Sequence, residues 1–135
     1  MSIQRQREEI ETFFFQQFGA LHPTVPVTGE NADFNPPENA PWLRISLQVA
    51  EQFETCIGSN DSYRTEGIIG VQIFTPLSEG SFQANVLADS ALKIFRTATN
   101  TDMDGVTILR SAITFSGQDE GFYQLNVFTD YRGQD

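Results

Sequence analysis

Trp42-Leu43-Arg44-Ile45-Ser46-Leu47-Gln48-Val49-Ala50 is the stretch that decides the fold. Leucine, isoleucine and valine take every second position, with Arg44, Ser46 and Gln48 between them. Side chains of a strand point alternately to its two faces, so a period of two predicts a strand with one buried and one open face. The odd-numbered register continues through Phe53, which extends the strand. Gly58-Ser59-Asn60-Asp61 then turns the chain, and a second strand runs from Tyr63 to Phe74 with Ile69, Val71 and Ile73 on one face. Two such runs joined by a short connection predict an antiparallel hairpin. Gly67 and Gly70 lie inside the second strand, where glycine marks a bulge or a close backbone approach.

Outward from this hairpin the period changes. Upstream, residues 22–41 read as loop with one short edge strand around Val25-Pro26-Val27-Thr28, where a proline is tolerated. Residues 29–41 hold Asn31, Asn35, Pro36, Pro37, Asn39 and Pro41, the chemistry of a long irregular arm. From Ser2 to Leu21 the pattern is helical. Ile3, Ile10, Phe14 and Leu21 fall on one line with Phe18 beside them, while Phe15 sits more than a quarter turn away. Ser2 is the expected N-cap, and Gly19 with His22-Pro23 marks the end. Downstream of Pro76, a second helix is expected from Ser81 to Arg96. Its apolar face is Leu87, Ala91, Ile94 and Phe95, with Phe82 and Val86 near the start. A polar loop over 97–105 precedes two strands, Val106 to Phe115 and Phe122 to Tyr131, joined by a loop from Ser116 to Gly121. Tyr123, Leu125, Val127, Thr129 and Tyr131 share one face of the last strand. The whole is one α+β domain over residues 1–135, in the order α-(β)-β-β-α-β-β, with a mostly antiparallel sheet and two helices packed on one face.

Charge and composition narrow the function. Eight basic residues against 18 acidic ones give a net charge of −10. No surplus of cations exists to displace counterions from phosphates, so nucleic-acid recognition is not expected. Docking on an anionic membrane is disfavoured for the same reason. The start, Met1-Ser2-Ile3-Gln4-Arg5 followed by Glu8, Glu9 and Glu11, has no apolar core of a secretory signal. No stretch approaches the roughly 18 apolar residues of a membrane helix. Cys56 is the only cysteine, so no internal disulfide forms and a reducing, cytoplasmic history is expected. Twelve phenylalanines against a single lysine, Lys93, suit a chain that buries aromatic surface in its core and against copies of itself.

Reaction chemistry is hard to place. His22, the only histidine, precedes a proline in a loop and has no Gly-x-Ser-x-Gly elbow to serve. Cys56 has no nearby cation in sequence to stabilise a thiolate. Asp102-Met103-Asp104-Gly105 opens like a calcium loop, but position twelve is Ile113 where a glutamate is required, and an Asx-rich turn is the better reading. Asp119-Glu120 reads as a solvated hairpin pair, and Gly67-Ile68-Ile69-Gly70 lacks the Lys-Ser/Thr of a phosphate loop. No catalytic residue, metal ligand set or cofactor site is expected.

Tyr63-Arg64-Thr65-Glu66-Gly67-Ile68-Ile69-Gly70-Val71-Gln72-Ile73-Phe74-Thr75-Pro76, followed by Glu79-Gly80, Leu87-Ala88-Asp89 and Ile94-Phe95, resembles the tail terminator proteins of long-tailed bacteriophages. Trp42-Leu43-Arg44 upstream and Leu125-Asn126-Val127-Phe128-Thr129-Asp130-Tyr131 at the end carry the likeness across nearly the whole chain. The resemblance implies an α+β, non-enzymatic virion protein, assembled in the host cytoplasm. It would form a homohexameric ring that caps the tail tube, ends tube polymerisation and presents a surface for head–tail joining. Its partners would then be its own copies, the major tail tube protein and a head–tail connector protein. Another head–tail adaptor, a tail-completion protein, or a small ligand-binding or enzymatic domain are the alternatives.

A ring needs one patch that meets a different patch on the next copy. The arm over 29–41 and the hairpin tip between Phe53 and Tyr63 are natural donors, and the candidate contact residues are Phe15, Phe34, Trp42, Arg44, Arg64, Arg110 and Arg132. The arginines alternate with buried residues and so project from the open face, where they either fix register against a neighbour or pair locally with Glu51, Glu66 or Asp130.

Overall fold

The computed structural model describes residues 3–29, 34–37, 40–54, 63–77, 82–103, 105–119 and 122–134. The elements in chain order are α1 (Ile3–Leu21), β1 (Val27–Gly29), β2 (Trp42–Glu54), β3 (Tyr63–Pro76), α2 (Phe82–Thr97), β4 (Asp102–Met103), β5 (Val106–Asp119) and β6 (Phe122–Gln134). The six strands form one sheet in the order β1-β2-β3-β6-β5-β4. Every pairing is antiparallel except β1 with β2, which is parallel. The α+β class, the mostly antiparallel sheet and the element order are those read from the sequence. The expected N-cap at Ser2 and most of the hairpin tip, with Cys56, lie outside the described residues.

Both helices cover the same face. Leu43, Ile45 and Leu47 of β2, Ile69, Val71 and Ile73 of β3, and Leu125, Val127 and Tyr131 of β6 are buried there against Ile10, Phe14 and Phe18 of α1 and the apolar face of α2. Full burial of each large apolar side chain contributes about 1.5–3 kcal/mol before entropy is counted. Phe14 stacks on Phe18 at 5.3 Å and on Phe95 of α2 at 5.4 Å, so one aromatic column joins the two helices.

Several expectations are corrected by packing. Leu21 lies on the helical stripe but is exposed, because α1 ends beyond the sheet. Phe82 and Val86, expected on the apolar face of α2, are exposed; Ala84, Ala88 and Leu92 are buried instead, with the four residues expected there. The odd register of β2 does not reach Phe53. Val49 pairs with Gly67 and Glu51 with Glu66, so Ala50 is an extra residue and the phase slips by one. Phe53 therefore pairs with Arg64 in register. The segment 97–105 is not all loop: Thr99 bridges Ile108, and Asp102–Met103 pairs with β5. Asp102 does form the expected Asx turn, its Oδ1 accepting the Gly105 N–H at 2.9 Å. Residues 116–119, read as loop, continue β5 because a second register shift between Phe115 and Gly117 keeps the backbone ladder going.

Two glycines of β3 differ in what they permit. A Cβ on Gly67 would lie 2.6 Å from the Gln48 carbonyl oxygen and 2.8 Å from the Tyr131 ring. Tyr131 is paired with Gly67 across the sheet, so the glycine makes the room in which that fully buried ring lies. At Gly70 the nearest atom would be Ser46 Oγ at 3.4 Å, an ordinary contact. Gly67→Ala should lower the urea-unfolding free energy by about 1–3 kcal/mol, as overpacking does. Gly70→Ala should change it by less than about 0.5 kcal/mol.

Candidate functional site

The one histidine of the chain is held between the two helices. His22 caps the gap between the helices. Its ring lies 5.0 Å from Phe18, and its Nε2 lies 2.9 Å from Ser90 Oγ of α2. The Ser90 hydroxyl gives its only proton to the Val86 carbonyl at 3.0 Å, so His22 Nε2–H is the donor to Ser90. A serine oxygen that accepts from the histidine is not being activated by it, and the pair serves to pin α1 to α2. Among the described residues no three His, Cys, Asp or Glu side chains come close enough to hold a metal ion, and no helix is long and apolar enough to cross a membrane. An apolar groove of about 400 Å³ runs between the ends of the helices, past Phe13, Leu21 and Ile94, with Lys93 at its side. Gln17, Thr97 and Thr101 also line it, and its lining holds no acid, histidine or cysteine.

The Tyr131 hydroxyl lies in the core. Burial pushes the Tyr131 hydroxyl above the ordinary tyrosine value, against a smaller opposing pull from Arg7. Its oxygen has no hydrogen-bond partner. Because the folded state favours the neutral phenol, this stabilisation is complete below about pH 10 and is lost as pH climbs through the folded-state value. Tyr131→Phe should therefore unfold at nearly the wild-type urea midpoint at pH 7, and should lose less stability than wild type between about pH 9.5 and 11.

The open face of the sheet is more distinctive. At one end Trp42 stacks on Phe74 at 4.2 Å, meets Phe122 edge-on at 6.0 Å and receives Phe34 of the arm at 5.2 Å. Trp42 is only 3 % exposed, so this is a second, smaller aromatic cluster on the side away from the helices. The Arg44 guanidinium lies 5.2 Å from the Trp42 ring centre and 5.8 Å from that of Phe74. Because β1 and β2 are parallel, the connection between them must run back along the sheet, and its Phe34 rests on the open face. Beyond this cluster the face is bare: Gln48, Ala112, Thr114, Phe128 and Asp130 are exposed, with Phe128 42 % accessible.

The seven candidate contact residues thus separate. Phe34, Trp42 and Arg44 come together in the aromatic cluster. Arg64 and Arg132 approach one another through Glu66: Arg64 Nη2 is 2.7 Å from the Glu66 carboxylate, and Arg132 is Glu66's partner in register on β6. Arg110 stands apart on the exposed side of the β5 bulge, and Phe15 is 38 % exposed on the outer side of α1. Phe74, Phe122 and Phe128 were not singled out from sequence. Their signal was present: each is a large apolar residue in the otherwise polar phase of its strand.

Against known proteins, a family model described as "Phage tail terminator protein" matches residues 9–121. No curated protein sequence matches significantly. One solved structure is similar with a TM-score of 0.65 at 18 % identity, covering 96 % of both chains. A chain from a structure called "Virion of native gene transfer agent (GTA) particle" is similar with a TM-score of 0.50 at 11 % identity, over 90 % of this chain and 92 % of that one. At such identities these two likenesses speak to the fold alone. The family model covers most of the chain, and with it the protein belongs to the phage tail terminator family, structural proteins of the phage tail.

Proposed function

We propose that copies of this chain close into a ring, a hexamer by the family resemblance, that caps the tail tube once it reaches length. The ring ends polymerisation of the major tail tube protein and offers its other surface to a head–tail connector protein. Assembly takes place in the host cytoplasm, the finished ring stays in the virion, and the chain performs no catalysis. One observation carries this reading: both helices lie on one face, leaving Phe128, Ala112 and Thr114 of the opposite face uncovered by the chain's own elements. An uncovered sheet face with aromatic residues suits contact with another protein.

Phe15, Phe34, Trp42, Arg44, Arg64, Arg110 and Arg132 are the residues proposed to contact sibling copies or neighbouring tail proteins. Trp42 and Phe34 would act through the shape of their cluster, since Trp42 is already buried within one chain. Arg64 would act as a pair with Glu66. Native mass spectrometry and negative-stain imaging of the protein, alone and with tail tubes, should show closed rings of one copy number. Tails assembled without it should be abnormally long and headless. A chain that stays monomeric even on tubes, with tubes of normal length in its absence, would remove the proposal.

A further inference from the structure

The end of α2 is tied to β5. Thr99 bridges Ile108 in parallel, and the Asn100 N–H donates to the Ile108 carbonyl at 2.8 Å. Thr99 Oγ1 lies 3.2 Å from both the Phe95 and the Leu109 carbonyl oxygens. Asn100 makes the turn with φ of 63°, a left-handed conformation that asparagine tolerates better than most residues. Immediately afterwards the register of β5 slips between Ile108 and Ser111, so Leu109 and Arg110 together oppose a single position of β6. Such a bulge re-aims the side chains it carries. Ser111 beyond it is held by its hydroxyl contact with Thr129 at 3.0 Å. The result is an open depression of about 560 Å³ with Arg96 on one wall and Arg110 on the other, over a floor fixed by these bonds.

Cations are scarce in this chain, eight against 18 acids. Arg5 and Arg7 are spent on Glu9 and Glu11 along α1, Arg64 on Glu66, and Arg44 on the Trp42 and Phe74 rings. Arg96 and Arg110 are both exposed and make no salt bridge among the described residues. Lys93, one turn before Arg96 on α2, is exposed beside them. The helix dipole favours a cation at the last turn of α2 and so accounts for Arg96 in part. It does not account for Arg110, which belongs to a strand. Of the nearby acids, Asp102 is turned to the Gly105 N–H, and Asp130, the β6 position that the bulge opposes, is exposed and makes no ion pair among the described residues.

We infer that the Arg96–Arg110 depression is the socket that receives carboxylate side chains of the next copy in the ring. This deepens the ring reading and rests on it. Copies that each carry −10 repel one another, so a heterologous contact between them needs cations placed where the neighbour's acids arrive. Guanidinium groups suit this role because they take carboxylates through two parallel hydrogen bonds. A nucleic-acid strand offers oxygens of similar chemistry, but the net charge opposes it.

Sedimentation velocity on the wild type and on the Arg96→Glu/Arg110→Glu double variant, alone and with tail tubes, tests the inference. The wild type should form rings whose self-association weakens as salt rises from about 50 to 500 mM. The double variant should associate at least about tenfold more weakly, and Arg96→Gln/Arg110→Gln should fall between. Both variants should melt within a few degrees of wild type, since both side chains are exposed and make no ion pair among the described residues. Rings that form equally well in the double variant overturn the socket and leave the ring reading standing. A wild type that forms no ring in either condition overturns both. Binding of a fluorescent DNA oligonucleotide to the wild type, abolished in the double variant, assigns the depression to phosphate and overturns the carboxylate partner.

Discussion

The aromatic column Phe18–Phe14–Phe95 fastens α1 to α2, and the paired helices lie together on one side of the sheet. Much else depends on that contact. It consumes the apolar stripes of both helices, so neither is free to cross to the other side. The helical face of the central strands is then largely apolar, with Thr65, Thr75 and Thr129 buried among its aliphatic residues, and the fit is tight enough that Tyr131 needs the missing side chain of Gly67. Its consequence on the far side matters equally: no helix is left to cover the other half of the sheet. Among the described residues the segment around Phe34 reaches it, over Trp42 at one end.

A sheet covered on one side is open to pairing with other molecules. The chain handles this unevenly. The Trp42 end is sealed by stacked rings and an arginine, while the middle of the face around Phe128 is left accessible. β1 pairs only with Leu43 to Ile45, and β4 only with Val106 and Thr107, so much of the length of each flanking long strand has no neighbour outside it among the described residues. In an isolated globule such edges are liabilities. In the proposed ring such edges would be material for contacts.

Alternation in 42–50 and the helical spacing of Ile10, Phe14 and Phe18 were enough to place the sheet, the helices and the shared covered face. What escaped did so for local reasons. A single inserted residue, Ala50, shifts the register of β2 by one, and no composition signal distinguishes it from its neighbours. Leu21, Phe82 and Val86 obey the helical pattern but lie where the partner surface has run out. The polar residues 116–119 look like loop because side-chain polarity says nothing about backbone pairing in an exposed ladder. The open-face cluster is half legible: Trp42 and Phe34 are among the expected contact residues, whereas Phe74 and Phe122 lie out of phase with the buried positions of their strands. Arg96, placed near Arg110 only by the Thr99–Ile108 bridge, had no sequence signal at all.

In the proposed ring the uncovered half of the sheet is completed by other chains at the end of a tail. Cryo-electron microscopy of intact tails at side-chain resolution observes this directly. It should find one closed ring of this chain between the last tube ring and the connector, with protein density against Phe128 and its neighbours. Tails whose tube ends are capped by a different protein, or rings in which that face looks onto empty solvent, would contradict it.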